Sequence, residues 1–166
     1  MQPLEIDIFQ ARLGSVTAPA GCGKTQLIAD ALSRHTDNKP VLVLTHTNAG
    51  VSALRTRLQR GRVPSSAYTV STIDGFAMRL AAKFPLRAGL DAQVLELANP
   101  TADYPAIRGA ARRLLQSGNI SDPIASTYSR LLVDEYQDCN ILQHDIVCSI
   151  ARLLPTCILG DPMQAI

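Results

Sequence analysis

The sequence predicts an α/β domain, built on a parallel sheet of about five strands with helices on both faces and a small helical insertion. Two observations carry this prediction. Short runs of β-branched and aliphatic residues alternate with helical stretches, which implies β–α–β units and therefore parallel strands. The length of 166 residues suits one domain with a substantial core. Right-handed crossovers then place ligands at the carboxyl ends of the strands.

Three strands are predicted in the first half of the chain, at Leu13–Ala18, Val41–Thr45 and Tyr68–Ser71. Each strand leads into a helix, and these helices are predicted at Lys24–Ser33, at Asn48–Arg60 and from the third strand through Leu80. A glycine-bearing turn separates the first strand from its helix. Pro40 bounds the second strand, and Asn48 is placed to cap the helix behind it.

The second half adds two strands and a long helix, predicted at Arg130–Val133, Thr156–Leu159 and Ile141–Leu153. Residues 85–128 are the least regular part of the single domain that spans residues 1–166, and they predict the small helical insertion. Within it, Ile107–Leu115 has a helical pattern. Prolines and glycines are expected to break the rest, at Pro100, Pro105, Gly109 and Gly118.

Composition narrows the class of protein. Hydrophobic residues make up 46% of the chain and charged residues 18%, which excludes a disordered chain, and no repeat supports a collagen-like or coiled-coil protein. No apolar run approaches the roughly 20 residues of a membrane-spanning helix, and residues 1–10 lack a signal-peptide core. We therefore expect a cytoplasmic protein with no membrane partner. The four cysteines lack C-x-x-C spacing, so we expect neither a disulfide nor a metal cluster.

Basic residues are concentrated in one stretch of the chain. Residues 49–87 carry one acidic residue, Asp74, and seven basic residues: Arg55, Arg57, Arg60, Arg62, Arg79, Lys83 and Arg87. Such a stretch can face a polyanion such as nucleic acid. For residues 55–62 alone, a solvated helix face is an equally good explanation.

The segment A-P-A-G-C-G-K-T at residues 18–25 is the strongest functional signal. A strand, a glycine-bearing loop and a helix that opens with G-K-T form a cradle for phosphate groups, because glycines let backbone N–H groups approach them. Lys24 is expected to reach the β- and γ-phosphates of a nucleotide, and Thr25 to offer its hydroxyl to Mg²⁺.

A second signal is the apolar strand L-L-V, which ends in the adjacent carboxylates Asp134 and Glu135. In a nucleotide site, Asp134 holds Mg²⁺ through water and Glu135 accepts a proton from the attacking water. Alone, this pattern favours a strand followed by a capped helix, but the phosphate loop upstream favours the nucleotide site. The later segment G-D-P-M-Q is weaker, since Gly-Asp-Pro is an ordinary turn, although Gln164 is placed to contact the γ-phosphate or the lytic water.

Five segments carry a resemblance to a known family. They are A-P-A-G-C-G-K-T (residues 18–25), T-H-T-N-A-G (45–50), S-T-I-D-G-F (71–76), V-D-E-Y-Q-D (133–138) and G-D-P-M-Q-A-I (160–166). In this order they resemble motifs I, Ia, the following DNA-binding motif, II and III of the first RecA-like domain of UvrD/Rep-type superfamily 1 helicases. V-D-E-Y-Q-D is highly specific for that family among P-loop proteins. The resemblance implies a RecA-like P-loop NTPase fold, ATP and Mg²⁺ as cofactors, and single-stranded DNA rather than RNA as the partner.

The resemblance also implies a role for each matching residue. Glu135 is the implied catalytic base, and Gln164 the implied sensor of the γ-phosphate. The residues implied to bind ATP are Ala20, Gly21, Cys22, Gly23, Lys24, Thr25, Gln26, Asp134 and Gln164, of which Thr25 and Asp134 hold Mg²⁺. The residues implied to line the single-strand path are Thr45, His46, Thr47, Asn48 and Thr72. Gln137 and Asp161 are implied to couple the nucleotide site to DNA.

The sequence departs from the family pattern at several positions. His46 stands where Phe is usual and can still stack on a base, while Ile73 and Asp74 stand where Phe-His is common. The glutamine that reads adenine in the family, upstream of motif I, has no equivalent at the usual spacing. Gln10 lies too close to the loop, and Gln2 is almost at the terminus.

We expect the chain to be the ATP-binding motor domain of an ATP-dependent DNA helicase or translocase. In this family ATP binds between two RecA-like domains, and the second domain supplies arginine fingers and half of the DNA track. The sequence ends at Ile166, within motif III, so as a fragment it is expected to hydrolyse ATP slowly and not to unwind DNA alone. Two alternatives remain: a non-catalytic DNA- or protein-binding remnant of a truncated helicase, and another P-loop enzyme such as a nucleotide kinase, against which V-D-E-Y-Q-D argues.

Overall fold

A computed structural model describes residues 7–19, 21–161 and 163. Its five strands are β1 (Leu13–Thr17), β2 (Val41–Thr45), β3 (Tyr68–Thr72), β4 (Arg130–Val133) and β5 (Thr156–Gly160). They form one sheet in the order β1–β5–β4–β2–β3, and every neighbouring pair is parallel. This confirms the predicted α/β class, and each strand ends within one residue of its predicted bound.

Seven α-helices connect the strands of the described chain. They are α1 (Lys24–Ser33), α2 (Asn48–Arg60), α3 (Ile73–Lys83), α4 (Pro85–Ala88), α5 (Pro100–Gln116), α6 (Ser121–Thr127) and α7 (Ile141–Ala151). Short 3-10 turns lie at Ser65–Ala67, Ala92–Glu96 and Tyr136–Asp138. Among the described residues, no helix is both long and apolar enough to cross a lipid bilayer.

Helices cover both faces of the sheet because the chain reverses direction across it. From β1 to β3 the chain moves towards one edge, and α1 and α2 pack on one face over Val41 and Val43. From β3 it returns through β4 to β5, and right-handed crossovers then require the opposite face. There α3, α5 and α7 pack over Leu42 and Leu44, the side chains that alternate with the two valines.

Helix α5 corrects the prediction for residues 100–116. We expected a helix over Ile107–Leu115 alone, yet the helix runs from Pro100 to Gln116. Pro100 occupies the first helical position, where its missing N–H needs no partner. Pro105 lies in the second turn and removes only the bond to the carbonyl of Thr101. Gly109 stays helical because α5 contributes five buried residues to the core: Ile107, Ala110, Ala111, Leu114 and Leu115.

The end of α5 and the start of α2 depend on single residues. Gly118, with φ of 76°, stops α5 as predicted, because that left-handed conformation suits glycine. The predicted cap of α2 is wrong by one position. The hydroxyl of Thr47, not the amide of Asn48, accepts the N–H of Gly50 at 3.0 Å, and Asn48 is the first helical residue.

Asp74, in the first turn of α3, connects that helix to α5 and α7 through hydrogen bonds. Its carboxylate accepts two hydrogen bonds from the Arg108 guanidinium of α5, at 2.7 and 2.6 Å, and one from the buried Gln143 amide of α7, at 2.9 Å. Burial alone raises the pKa of Asp74, but the hydrogen bonds from Arg108 and Gln143 and the Arg108 charge bring that pKa below its ordinary value. The ionised carboxylate is therefore the form that holds the helices.

We predict that Asp74→Asn lowers the free energy of unfolding by about 2 kcal/mol at pH 7, because two charge-assisted hydrogen bonds are lost. A group with a lowered folded pKa stabilises the fold above its unfolded pKa and loses that contribution as the pH falls through the folded value. The difference between variant and wild type should therefore shrink below about pH 4. Urea unfolding at several pH values measures it.

The matched control is Asp145→Asn. Asp145 pairs with Arg112 between α7 and α5 at 3.2 Å, but these side chains are about one third exposed or more. Exposed pairs contribute little, so we expect a loss below about 1 kcal/mol. Equal losses for the two variants, or a difference that does not shrink as the pH is lowered below about 4, would contradict the role given to Asp74.

Candidate functional site

The loop between β1 and α1 has the backbone geometry of a phosphate cradle. Gly21 and Gly23 have φ of 77° and 82°, a left-handed conformation that side chains with Cβ atoms rarely adopt. They turn the chain sharply, so that α1 begins at Lys24 with its free N–H groups directed back at the loop. Cys22, between them, is exposed to solvent. Ala20 lies outside the described residues.

Lys24 is held across this loop by backbone carbonyls. The residue is only 6% exposed, and its ammonium donates hydrogen bonds to the carbonyl oxygens of Ala18 at 2.9 Å and Pro19 at 3.4 Å. A buried ammonium needs such partners, and phosphate oxygens can replace them at the same site. The charge is thus already positioned for an anion that enters the loop.

The fold brings the two sequence signals together although they lie 109 residues apart. The hydroxyl of Thr25, at the start of α1, donates to Oδ2 of Asp134 at 3.4 Å. Asp134 follows directly after β4, and its own N–H donates to the carbonyl of Leu44 on β2 at 2.8 Å. A hydroxyl and a carboxylate in contact beside a phosphate loop are the oxygen ligands that Mg²⁺ takes from a protein.

Asp134 and Glu135 place negative charge where little water reaches it. Asp134 is 4% exposed; burial, followed by the charge of Glu135, raises its pKa, against the lowering effects of the Glu135 N–H, Thr25 and Lys24. The net upward shift means that the folded chain does not fully compensate the ionised carboxylate. A divalent cation would supply that compensation, so the donor set fits Mg²⁺.

Gln137 holds the side chain of Glu135. Its amide Nε2 donates to Oε2 of Glu135 at 2.8 Å, while its Oε1 accepts the N–H of Asp161 at 3.0 Å. Glu135 itself has φ of 52°, so the chain turns sharply at the carboxylate before the 3-10 turn begins. One amide therefore connects Glu135 to the end of β5. Gln164, the other predicted catalytic residue, lies outside the described residues.

Gly160 leaves the space that Gln137 occupies. A Cβ atom built on Gly160 would lie 2.6 Å from Oε1 of Gln137, which is closer than real contacts allow. Nothing in the sequence singles out this glycine beyond its place in a turn motif. The signal that could have indicated the contact between Gly160 and Gln137 is that motif II and motif III follow strands expected to be neighbours in the sheet.

Gln26, predicted to bind ATP, is engaged away from the loop. Its amide donates to the carboxylate of Asp30 at 2.6 Å and accepts from the guanidinium of Arg57 at 2.8 Å. Gln10 lies in the turn that precedes β1, and the carbonyls of its neighbours Phe9 and Ala11 bind Arg130 at the start of β4. That is the amino-end edge of the sheet, about 17 Å from the phosphate loop along the five residues of β1. Gln2 lies outside the described residues.

The residues predicted to line a single strand lie at the ends of β2 and β3. Thr45 pairs with Thr72 in the strand register, so the two segments are neighbours. Thr45 is buried against Gly50, and the Thr72 hydroxyl caps α3 through the N–H of Gly75 at 2.9 Å. The residues that face solvent are Thr47 and Asn48. His46 is partly buried, and its Nδ1 has no hydrogen-bond partner among the described residues.

A cavity of about 170 Å³ joins these residues to the carboxylates. Its walls are formed by Thr25, Asp134, Glu135 and Asp138 on the nucleotide side and by Thr45, His46, Thr47, Gly50 and Ala53 on the side of α2. The parallel sheet explains this meeting, since β2 and β4 are adjacent and end at the same edge.

The basic stretch predicted from sequence is not one surface. Arg55, Arg57 and Arg60 lie on α2, whereas Arg79 and Lys83 lie on α3, which packs on the opposite face of the sheet. The polyanion prediction must therefore be considered separately for each face.

In this parallel sheet, the first strand leads through a glycine loop into a helix that opens with Lys and Thr. This loop lies beside a strand that is followed by the buried carboxylate of Asp134. Together these features define a P-loop nucleotide-binding domain. The comparison with protein families agrees. The model of a family described as an AAA domain matches residues 4–166, and the chain belongs to that family. No curated protein matches the chain.

We predict that Gly160→Ala lowers the free energy of unfolding by about 1–2 kcal/mol. The new methyl group displaces the Gln137 amide and breaks its bonds to Glu135 and Asp161. Gln137→Ala removes the same bonds, so in that background Gly160→Ala should cost almost nothing further. A double-mutant cycle by urea unfolding measures the coupling, and fully additive losses would show that the contact is not the cause.

Proposed function

We propose that this chain is the ATP-binding motor domain of an ATP-dependent DNA helicase or translocase that acts on single-stranded DNA. The observation that carries the proposal is the shared cavity, in which Thr25, Asp134 and Glu135 face the segment from Thr45 to Thr47. Membership of the AAA domain family supports an ATP-binding P-loop domain, and the helicase motifs of the sequence support the nucleic-acid partner.

In this proposal the loop and Lys24 bind the phosphates of ATP. Backbone N–H groups at the start of α1 and the Lys24 ammonium stabilise the charge that builds on the transferred phosphoryl group. Thr25 and Asp134 hold Mg²⁺, which neutralises charge on the β- and γ-phosphate oxygens. The contact between Thr25 and Asp134 at 3.4 Å supports these two as the ligands.

Glu135 serves as the general base that accepts a proton from the attacking water. Glu135 is one of the residues that line the shared cavity, which supports its placement near a water between the phosphates and α2. Gln137 restrains this carboxylate, and through Asp161 the restraint depends on the position of the end of β5. A movement of residues 160–166 (motif III) would therefore change the orientation of the Glu135 carboxylate.

The single strand is proposed to lie on the exposed start of α2 and beside Thr72. Thr47 and Asn48 can donate or accept hydrogen bonds there, the helix N-terminus favours phosphate, and the His46 ring can stack on a base. A second RecA-like domain is the proposed partner that completes the ATP site with an arginine finger, a contribution of about 10³–10⁵ in rate. We propose a cytoplasmic location for this activity.

We predict that Lys24→Ala weakens binding of a fluorescent ATP analogue with Mg²⁺ by about tenfold to a hundredfold, because a charge-assisted contact to the phosphates is lost. Equilibrium fluorescence titration of the 166-residue chain measures it. Lys39→Ala is the control, since the Lys39 ammonium binds the carbonyl of Ala125 at 2.9 Å and not the phosphate loop. Unchanged affinity in Lys24→Ala would exclude the loop as the site.

We predict that Asn48→Asp weakens single-stranded DNA binding by about three- to tenfold at low salt, because the new carboxylate repels backbone phosphates. The fold should tolerate the change, since a carboxylate in the first turn of a helix is favourable. Fluorescence anisotropy with labelled oligo(dT) measures the effect. Asn119→Asp, at an exposed position beyond α5, is the charge-matched control. Equal effects of the two variants would argue against a strand at the start of α2.

A further inference from the structure

A polar groove of about 730 Å³ separates α1 from α2. The facing positions follow helical spacing on both helices, and the polar side chains among them are Gln26, Asp30 and Ser33 of α1 and Thr56, Arg57 and Arg60 of α2. The volume is that of a ligand site, and the groove starts one residue after Thr25 of the nucleotide site.

The side chains between the two helices explain why this groove stays open. The large aliphatic residues of both helices, Ile28 and Leu32 of α1 and Leu54 and Leu58 of α2, are buried in the core beneath. The facing positions instead carry small or polar residues, which cannot close a dry helix–helix contact. The groove is therefore a solvated channel whose polar lining consists of hydroxyl, amide and guanidinium groups and the Asp30 carboxylate.

The charge in the groove favours an anion. The charged residues that line it are two arginines, Arg57 and Arg60, and one carboxylate, Asp30. Arg60 lines the groove and makes no hydrogen bond or ion pair with any residue that the structure describes. Among the residues that the structure describes, the Arg57 guanidinium donates to the Gln26 amide oxygen at 2.8 Å and has further donors for a ligand. One oxygen of the Asp30 carboxylate accepts from the same amide at 2.6 Å. Two guanidinium groups thus face one carboxylate that already has a partner.

We propose that the α1–α2 groove binds backbone phosphates of a nucleic-acid strand whose neighbouring nucleotides lie on the start of α2. This inference rests on the proposed function, because it extends the path from Asn48 along the same helix towards Arg60, about 18 Å away. Guanidinium groups and hydroxyls are the donors that bind phosphates without reading sequence. A concave channel between two helices admits a single strand, whereas a flat membrane surface could not reach its floor.

Gln26 prepares the groove for this ligand. Its hydrogen bond at 2.8 Å holds the Arg57 guanidinium over the channel instead of leaving it to move in solvent. A side chain already held in its binding conformation loses less entropy when a phosphate arrives. The same residue follows Thr25, so the strand and the nucleotide would contact the first turn of one helix from two sides.

The test is the salt dependence of oligo(dT) binding by the 166-residue chain, measured by anisotropy from 50 to 200 mM salt. Each lost phosphate contact should lower the slope of log affinity against log salt by about 0.7. We expect this reduction for Arg60→Gln and for Arg57→Gln. Arg87→Gln removes the same charge from exposed α4, on the other face of the sheet, and should leave the slope unchanged.

Each outcome decides the inference. A slope reduced in the groove variants but not in Arg87→Gln supports it. Wild-type binding with a slope that Arg60→Gln does not change overturns the groove while leaving the proposed function intact, and an equal reduction in all three variants shows a general charge effect and also overturns it. Absence of oligo(dT) binding by the wild-type chain overturns the proposed function and the groove together.

Discussion

The common direction of the five strands is the constraint on which the rest of the structure depends. Because all are parallel, the polar residues that follow each strand emerge at one edge of the sheet. Thr25 and Asp134 meet there although the chain between them exceeds one hundred residues, and the start of α2 opens onto the same edge. Any strand added in the opposite direction would carry its terminal residues to the far edge, where Gln10 and Arg130 lie.

At this edge of the sheet, the charges of Lys24 and of Asp134 are not fully compensated by the protein, which favours charged ligands. Among the described residues, the ammonium of Lys24 hydrogen-bonds to backbone carbonyls, while burial and the charge of Glu135 raise the pKa of Asp134. The chain therefore holds a buried cation, Lys24, beside a glycine loop, and a pair of carboxylates beside the Thr25 hydroxyl. A phosphate would balance the charge of Lys24, and a divalent cation would balance the carboxylates. A nucleotide bound with Mg²⁺ would carry both charges in one ligand.

Sequence patterns predicted the parts of this molecule that local physics determines. The predicted strand bounds agree with the observed ones to within one residue, because each strand is a short apolar run bounded by turn residues. The helix α3 follows the predicted helical pattern, since it buries Ile73, Phe76, Ala77 and Leu80 at helical spacing. Prediction was wrong where tertiary packing prevailed over propensity, as in the part of α5 that carries Pro105. Contacts between distant segments, such as Gly160 with Gln137, have no local signature and required the fold.

Two of the positions at which the sequence departs from the motifs that it resembles, His46 and Asp74, follow neighbouring strands of the sheet. His46 directly follows β2, and Asp74 lies in the first turn of the helix that follows β3, the strand that pairs with β2. Arg108 of α5 and Gln143 of α7 donate hydrogen bonds to the Asp74 carboxylate. A Phe-His pair at positions 73 and 74 would offer these two side chains no carboxylate to bind. A carboxylate so engaged cannot repel a nearby phosphate strongly, because its charge is already neutralised. The acidic residue after β3 therefore leaves little uncompensated negative charge at that end of the strand.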